Sequence, residues 1–182
     1  TGGPGTGKTT IINAILQIYH RMGTRVLLAA PTGRAAKRMS ETCGRNASTI
    51  HRMLEFNLLK GGFQRNDKKP LTCDLLVIDE ASMVDTLLMY HLMKAVPPGA
   101  TLILVGDVNQ LPSVGAGNVL KDVIDSGTVA VVELTTIFRQ AKHSRIVVNA
   151  HRINSGLQPE WSEITPSDPS LSDFYFIQQE DP

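Results

Sequence analysis

The stretch "DLLVIDEASM", residues 74 to 83, runs apolar from Leu75 to Ile78 and then turns abruptly to two acids, Asp79 and Glu80. A short apolar run without alternation reads as a strand buried on both faces, and such strands belong to parallel sheets covered by helices. Working outward, further runs of the same kind appear at Arg25 to Ala30, Thr101 to Val105 and Val129 to Leu134. Helical patterns alternate with them at Gly33 to Thr42, Val84 to Ala95 and Val119 to Ile124. The fold class expected is therefore α/β, a parallel sheet with helices on both faces. In such sheets ligands sit beyond the carboxyl ends of the strands.

The acids after Ile78 are the first such place. A carboxylate at the end of a buried strand is costly without a cation, which makes Asp79 a direct or second-sphere ligand for Mg²⁺ and leaves Glu80 to orient and deprotonate a water. The same pair could instead cap the following helix. After the next strand comes "GDVNQLP", residues 106 to 112, in which Gln110 is placed to reach a phosphate or the attacking water; alone it would be an ordinary polar loop.

The chain opens on "TGGPGTGKTT". Gly2 to Thr9 fit the phosphate-loop pattern G-x-x-x-x-G-K-[ST], in which glycines let successive backbone N–H groups face a phosphate chain. Gly3, Pro4, Gly5, Thr6, Gly7, Lys8, Thr9 and Thr10 are the candidate nucleotide-binding residues, with Lys8 for the β and γ phosphates and the Thr9 hydroxyl for Mg²⁺. A helix follows directly, with Ile11, Ile12, Ile15, Leu16, Ile18, Tyr19 and Met22 on its apolar side and Gly23 to stop it. The strand that should precede such a loop is expected outside this chain, which reads as a piece cut at a motif boundary.

Composition bounds the rest. The 182 residues carry a net charge of +1 and are 42% hydrophobic, enough for one ordinary core. Of the 18 Lys and Arg, nine lie between Arg34 and Lys69 against three acids, a local excess that suits a nucleic-acid track or a solvated face. Cys43 and Cys73 lack metal-ligand spacing and read as reduced thiols of a cytoplasmic protein. No run of about 18 apolar residues suggests a membrane span.

The stretches "GGPGTGKTT", "APTGRAAKRM", "STIHRML", "LLVIDEASMVD", "GDVNQLPSVGAG" and "LTTIFRQA", in this order over residues 2 to 141, together resemble the RecD-like superfamily 1 DNA helicases, the family of the alpha subunit of exodeoxyribonuclease V. The resemblance implies a P-loop NTPase of RecA-like fold, using ATP and Mg²⁺ to move on single-stranded DNA in recombination and repair, in the 5′ to 3′ direction. It implies that Lys8 and Thr9 bind phosphates and metal, that Asp79 and Glu80 are metal-binding acid and base, that Gln110 couples the γ-phosphate to DNA, and that Arg139 reaches the γ-phosphate. Pro31, Thr32, Gly33 and Arg34 match the motif that contacts the single strand, with Thr49 and His51 on the same track. Other subunits of an exodeoxyribonuclease V complex are possible partners, and no membrane is. A conjugative relaxase helicase or a non-motor P-loop NTPase are the alternatives.

Between the matched stretches, "EFNLLKGGFQRNDKKPL" has turn residues Lys60-Gly61-Gly62 flanked by short segments and predicts a small β-hairpin insertion over 55–70. In the family the corresponding insertion is a pin at the duplex fork. Residues 1–139 are expected to form the first RecA-like domain and 140–182 the start of a second, incomplete one, with a helix from His143 to Ser155 and a strand in "DFYFIQQEDP". With most of the second domain absent, the isolated chain is expected to bind nucleotide poorly and to be inactive.

Overall fold

The computed structural model describes residues 1–138, 144–160 and 173–174. They fall into two compact units, one of residues 1–2 and 8–133, the other of residues 3–7 with the described part of 134–182.

The larger unit is built on four parallel strands: β1 (Val26–Ala30), β2 (Ser48–Thr49), β5 (Leu75–Ile78) and β6 (Thr101–Leu104), in the spatial order β2-β1-β5-β6. Register is set by Val26 opposite Leu75 and Leu75 opposite Thr101. Side chains alternate across the sheet, so β5 serves two cores at once. Leu76 and Ile78 join Ile50, Leu54, Val84, Leu88, Leu92 and Leu120 on one face. Leu75 and Val77 join Ile12, Leu16, Leu28 and Met39 on the other. The first face is covered by α3 (Ile50–Met53), α4 (Thr86–Ala95) and α5 (Val119–Asp125), the second by α1 (Lys8–Arg21) and α2 (Gly33–Cys43). All four β5 side chains are buried, as the unalternating run of apolar residues requires.

Helix boundaries follow local chemistry. Thr32 caps α2, its hydroxyl accepting from the Ala35 N–H at 3.2 Å. Asp85 caps α4 by accepting from Leu88 N–H at 2.7 Å. At the other ends, Gly23 and Gly44 adopt φ of 69° and 61°, the left-handed turn that ends a helix without steric cost. On α1 only Ile12 and Leu16 are buried, while Ile11 and Ile18, and Met22 just past its end, stay exposed, so its apolar side is broader than the core it meets.

The expected insertion is a hairpin. β3 (Phe56–Asn57) pairs antiparallel with β4 (Gly62–Phe63) across a 3₁₀ turn at Leu58–Lys60. Gly61 and Gly62 take φ of 80° and 107°, open to glycine and costly for other residues. Glu55 takes φ of 54° at the entry and holds the exit by ion pairs to Arg65 and Lys69 at 2.6 and 2.7 Å.

One expected strand is not formed. Among the described residues Val129 to Leu134 enters no ladder of the sheet and makes only an isolated bridge at Leu134; Val132 receives a hydrogen bond at its carbonyl from the Thr1 ammonium at 2.7 Å, and Val129, Val131 and Val132 are exposed. A strand needs a row of backbone partners, and a single donor supplies one.

In the smaller unit, α6 (Arg145–Asn154) begins at a Ser144 cap and ends before Gly156, whose φ is 75°. Asn149 is buried and pairs with the Glu160 backbone in both directions, at 2.8 and 2.7 Å. The strand expected in "DFYFIQQEDP" lies, beyond Asp173 and Phe174, outside the described residues.

Candidate nucleotide and DNA site

Four loops of the larger unit leave the carboxyl ends of its strands side by side. Asp79 follows β5 directly, its N–H bonded to Ala29 of β1 at 3.0 Å, and its carboxylate accepts from the Glu80 N–H at 2.9 Å. That short bond folds the chain back, and Glu80 sits at φ 52°, ψ 41° with no capping bond from its side chain to the 3₁₀ turn Ala81–Met83. The helix-cap alternative for these acids is thereby closed for Glu80, since Asp85 caps α4. A non-glycine residue in the left-handed region costs of order 1–2 kcal/mol, and such strain concentrates at functional sites.

After β6, Val105 N–H bonds to Ile78 at 2.8 Å, Gly106 follows, and Asp107 is only 3% exposed. The Asp107 carboxylate accepts from Asn109 N–H at 3.0 Å, and its carbonyl accepts from Gln110 N–H at 3.2 Å. This turn delivers Gln110 to the surface as an exposed side chain. The sequence signalled Gln110 but not the buried Asp107 that shapes the turn. Gly106 is tightly enclosed: a Cβ would stand 2.7 Å from the end of the Leu120 side chain and 3.1 Å from the Ser82 nitrogen, in the turn that carries Glu80. Further along, a Cβ on Gly115 or Gly117 would stand 2.1 Å from Asp85 or Thr86, which explains the "SVGAG" loop as packing on the start of α4.

The residues expected to form the DNA track lie after β1 and β2. Ala30 and Thr49 are register partners, so Pro31, Thr32, Gly33 and Arg34 leave one strand beside the Thr49 that ends its neighbour. Both threonine hydroxyls act as helix caps, Thr49 accepting from Arg52 N–H at 3.1 Å, while Arg34 is exposed. His51 has a further role that its spacing gave no sign of. Its ring lies 5.6 Å from Phe56 and 5.4 Å from Phe63, whose own centroids are 4.8 Å apart, and Phe63 continues to His91 at 4.6 Å. The track and the hairpin therefore share one aromatic cluster.

At the start of the larger unit, Lys8 Nζ donates to the Gly2 carbonyl at 2.6 Å. In the smaller unit, Gly5 and Gly7 hold φ of 74° and 87°, as a tight phosphate loop needs, and buried Thr6 donates its hydroxyl to the Gly3 carbonyl at 2.8 Å. Phe138 N–H donates to Gly5 O at 3.0 Å and its ring packs over Gly7. Arg139 lies outside the described residues. Both cysteines are free thiols, and burial raises the pKa of each.

Comparison with known proteins agrees with these motifs. The model of an AAA domain family matches residues 1–116. An ATP-dependent RecD2 DNA helicase of Deinococcus radiodurans is 44% identical over 163 residues, covering 90% of this chain and 22% of its own length. A RecBCD enzyme subunit RecD of Mycobacterium tuberculosis is 38% identical over 185 residues, covering 86% of this chain and 32% of its own length. The chain thus spans between about a fifth and a third of these relatives. Among solved structures, a Pif1 helicase from Bacteroides superposes with a TM-score of 0.53 at 27% identity, over 76% of this chain and 38% of that one. A second Pif1 structure, of helicases at forked double-stranded DNA, gives 0.56 at 24% identity, over 86% and 44%, a likeness of fold.

Proposed function

The chain belongs to the AAA domain family as a relative of the RecD helicases, and from that premise we propose that it is the first motor domain of an ATP-driven DNA helicase. The observation that carries the proposal is the gathering of acid, polar turn and basic track at one edge of the sheet: Asp79 and Glu80 after β5, Gln110 beyond β6, and residues 31–34 and 49–51 after β1 and β2. A non-motor NTPase has no use for the last of these, nor for a hairpin that shares its aromatic cluster with His51.

The roles follow from the chemistry each group can supply. N–H groups of residues 3–9 bind the nucleotide phosphates, with Lys8 leaving the Gly2 carbonyl for the β and γ oxygens. Thr9 and Asp79 hold Mg²⁺. Magnesium is commonly bound through one or two protein oxygens, phosphates and water. Magnesium supplies charge neutralisation on the phosphates. Glu80 takes a proton from water as that oxygen bonds the γ-phosphorus and the bond to the β-phosphate oxygen breaks, yielding ADP and phosphate. Gln110 contacts the γ-phosphate or this water, and Arg139 balances charge on the transferring group. Pro31 to Arg34, Thr49 and His51 contact the single strand, and the hairpin over 55–70 stands at the duplex fork.

We assign residues 1–139 to the first RecA-like domain and 140–182 to the start of the second, with translocation from 5′ to 3′ in DNA recombination and repair. The setting is cytoplasmic, either alone or as part of an exodeoxyribonuclease V complex. No helix among the described residues is long and apolar enough to cross a membrane.

The test is ATP turnover by the full-length protein with and without single-stranded DNA. Turnover is expected to rise on adding DNA. Lys8→Ala is expected to lose nucleotide binding, and Glu80→Gln to keep binding while losing about 10²- to 10⁴-fold in rate. Turnover indifferent to DNA in the unsubstituted protein would refute the motor reading.

A further inference from the structure

His151 lies in α6, far from every motif the sequence singles out, and its ring is packed against the phosphate loop. Its Nε2 is 2.9 Å from the Pro4 carbonyl oxygen. A carbonyl only accepts, so the imidazole is the donor and carries its proton on Nε2. The same ring fills the space over Gly3, where an ideal Cβ would stand 2.7 Å from Cε1 and 3.1 Å from Nε2.

The next carbonyl along is held too, by the Phe138 N–H on Gly5 O at 3.0 Å. Among the described residues there is no cis peptide. In a planar trans peptide the C=O of one residue and the N–H of the next point in opposite directions. Holding Pro4 O therefore turns the Gly5 N–H away from His151, and holding Gly5 O turns the Thr6 N–H away from Phe138. These are amides of the kind that phosphate loops present to an anion. The intervening loop is braced from within by Thr6 on Gly3 O.

We infer that His151 is a positioning residue for nucleotide binding: through Pro4 it presets the direction of the Gly5 amide, and through its ring it requires glycine at position 3. Preset donors bind an anion without reorganising, which is where the affinity arises. α6 is itself held in place for this, since Asn149, two residues earlier on the helix, is locked to the Glu160 backbone, and Arg152 pairs with the Glu160 carboxylate at 2.8 Å. The inference rests on the proposed nucleotide site, whose own failure would show as an absence of nucleotide binding by the unsubstituted protein.

The experiment compares His151→Gln with His151→Met in the full-length protein. The two side chains have similar length and shape, but only Gln can donate to Pro4 O. With a fluorescent ATP analogue, Met is expected to weaken binding by about 2- to 10-fold, the worth of one neutral hydrogen bond, and Gln to recover most of it. Single-stranded DNA affinity should not change in either. In nucleotide-free protein the Gly5 and Thr6 amides should exchange hydrogen faster in Met than in Gln.

A second arm probes the ring. Gly3 does not have positive φ, so alanine is admissible to the backbone. Gly3→Ala must push the imidazole off Pro4, and is expected to weaken nucleotide binding by about 5- to 160-fold, the range for overpacking. In a His151→Ala background that penalty should shrink to near nothing. Equal nucleotide affinity for Gln and Met, or a Gly3→Ala penalty that His151→Ala leaves intact, would overturn the inference while leaving the nucleotide site standing.

Discussion

Replacing Glu80 separates backbone strain from chemistry. Its φ of 52° and ψ of 41° place it in the left-handed region without any side-chain bond to the turn that follows. Alanine and glycine both remove the carboxylate, so both are expected to abolish hydrolysis; they differ only in the Cβ. At an ordinary helix or strand position, alanine is the more stable by roughly 0.5–1 kcal/mol because glycine loses more entropy on folding. Here the left-handed conformation charges alanine about 1–2 kcal/mol, which exceeds the entropic term. Glu80→Gly is therefore expected to be more stable than Glu80→Ala by up to about 1.5 kcal/mol, the difference between these opposing effects. With a urea slope of about 1–3 kcal/mol per molar, a gap of about 1 kcal/mol moves the midpoint by roughly 0.3–1 M. Urea denaturation of the two variants, followed by circular dichroism, measures it. An alanine variant as stable as glycine or more so would mean that Glu80 is not strained, and would remove the argument that its geometry is held for function.

Three further outcomes follow from particular residues. Arg34→Ala should weaken single-stranded DNA binding and reduce the slope of log K against log salt by less than one unit, since one phosphate contact releases about 0.7 counterion; titrations at several salt concentrations read this directly. Ile78→Ala, at a fully buried position of the central strand, should cost about 2–5 kcal/mol by chemical denaturation. Hydrogen bonds from Lys69 and then Arg65 hold the Glu55 carboxyl below its ordinary value of 4.5. That contribution is fully present above pH 4.5 and is lost as pH falls through the lowered value. Glu55→Gln, which keeps the side-chain length at this backbone position, should therefore melt lower than the unsubstituted protein at neutral pH. The gap should close on acidification; a gap that persists at low pH would assign the effect to something other than the ion pairs.

The local signals in the sequence determined most of the sheet and pointed to much of the candidate site. Apolar runs of four or five residues made β1, β5 and β6 legible with their helices, although burial is complete only for β5, covers the last three residues of β1 and is partial along β6, and the residues after each strand were legible as candidates for chemistry. Glycines at 5, 7, 61 and 62 announced turns because left-handed backbone is costly for anything else. The tertiary structure decided what depends on partners distant in sequence. Val129 to Leu134 has the composition of a strand, but a strand is a relation between backbones, and no row of partners meets it among the described residues. Glu80 reads as a candidate base or a helix cap until the Asp79 carboxylate is seen turning the chain beneath it. His51 marks a track by its motif, yet its place in the hairpin's aromatic cluster comes from packing between residues up to 40 positions away. His151 has no local pattern to betray it, because a hydrogen bond to a carbonyl 147 residues distant leaves no periodicity. Periodicity and backbone cost act on neighbours along the chain, and only folding brings the remaining partners within reach.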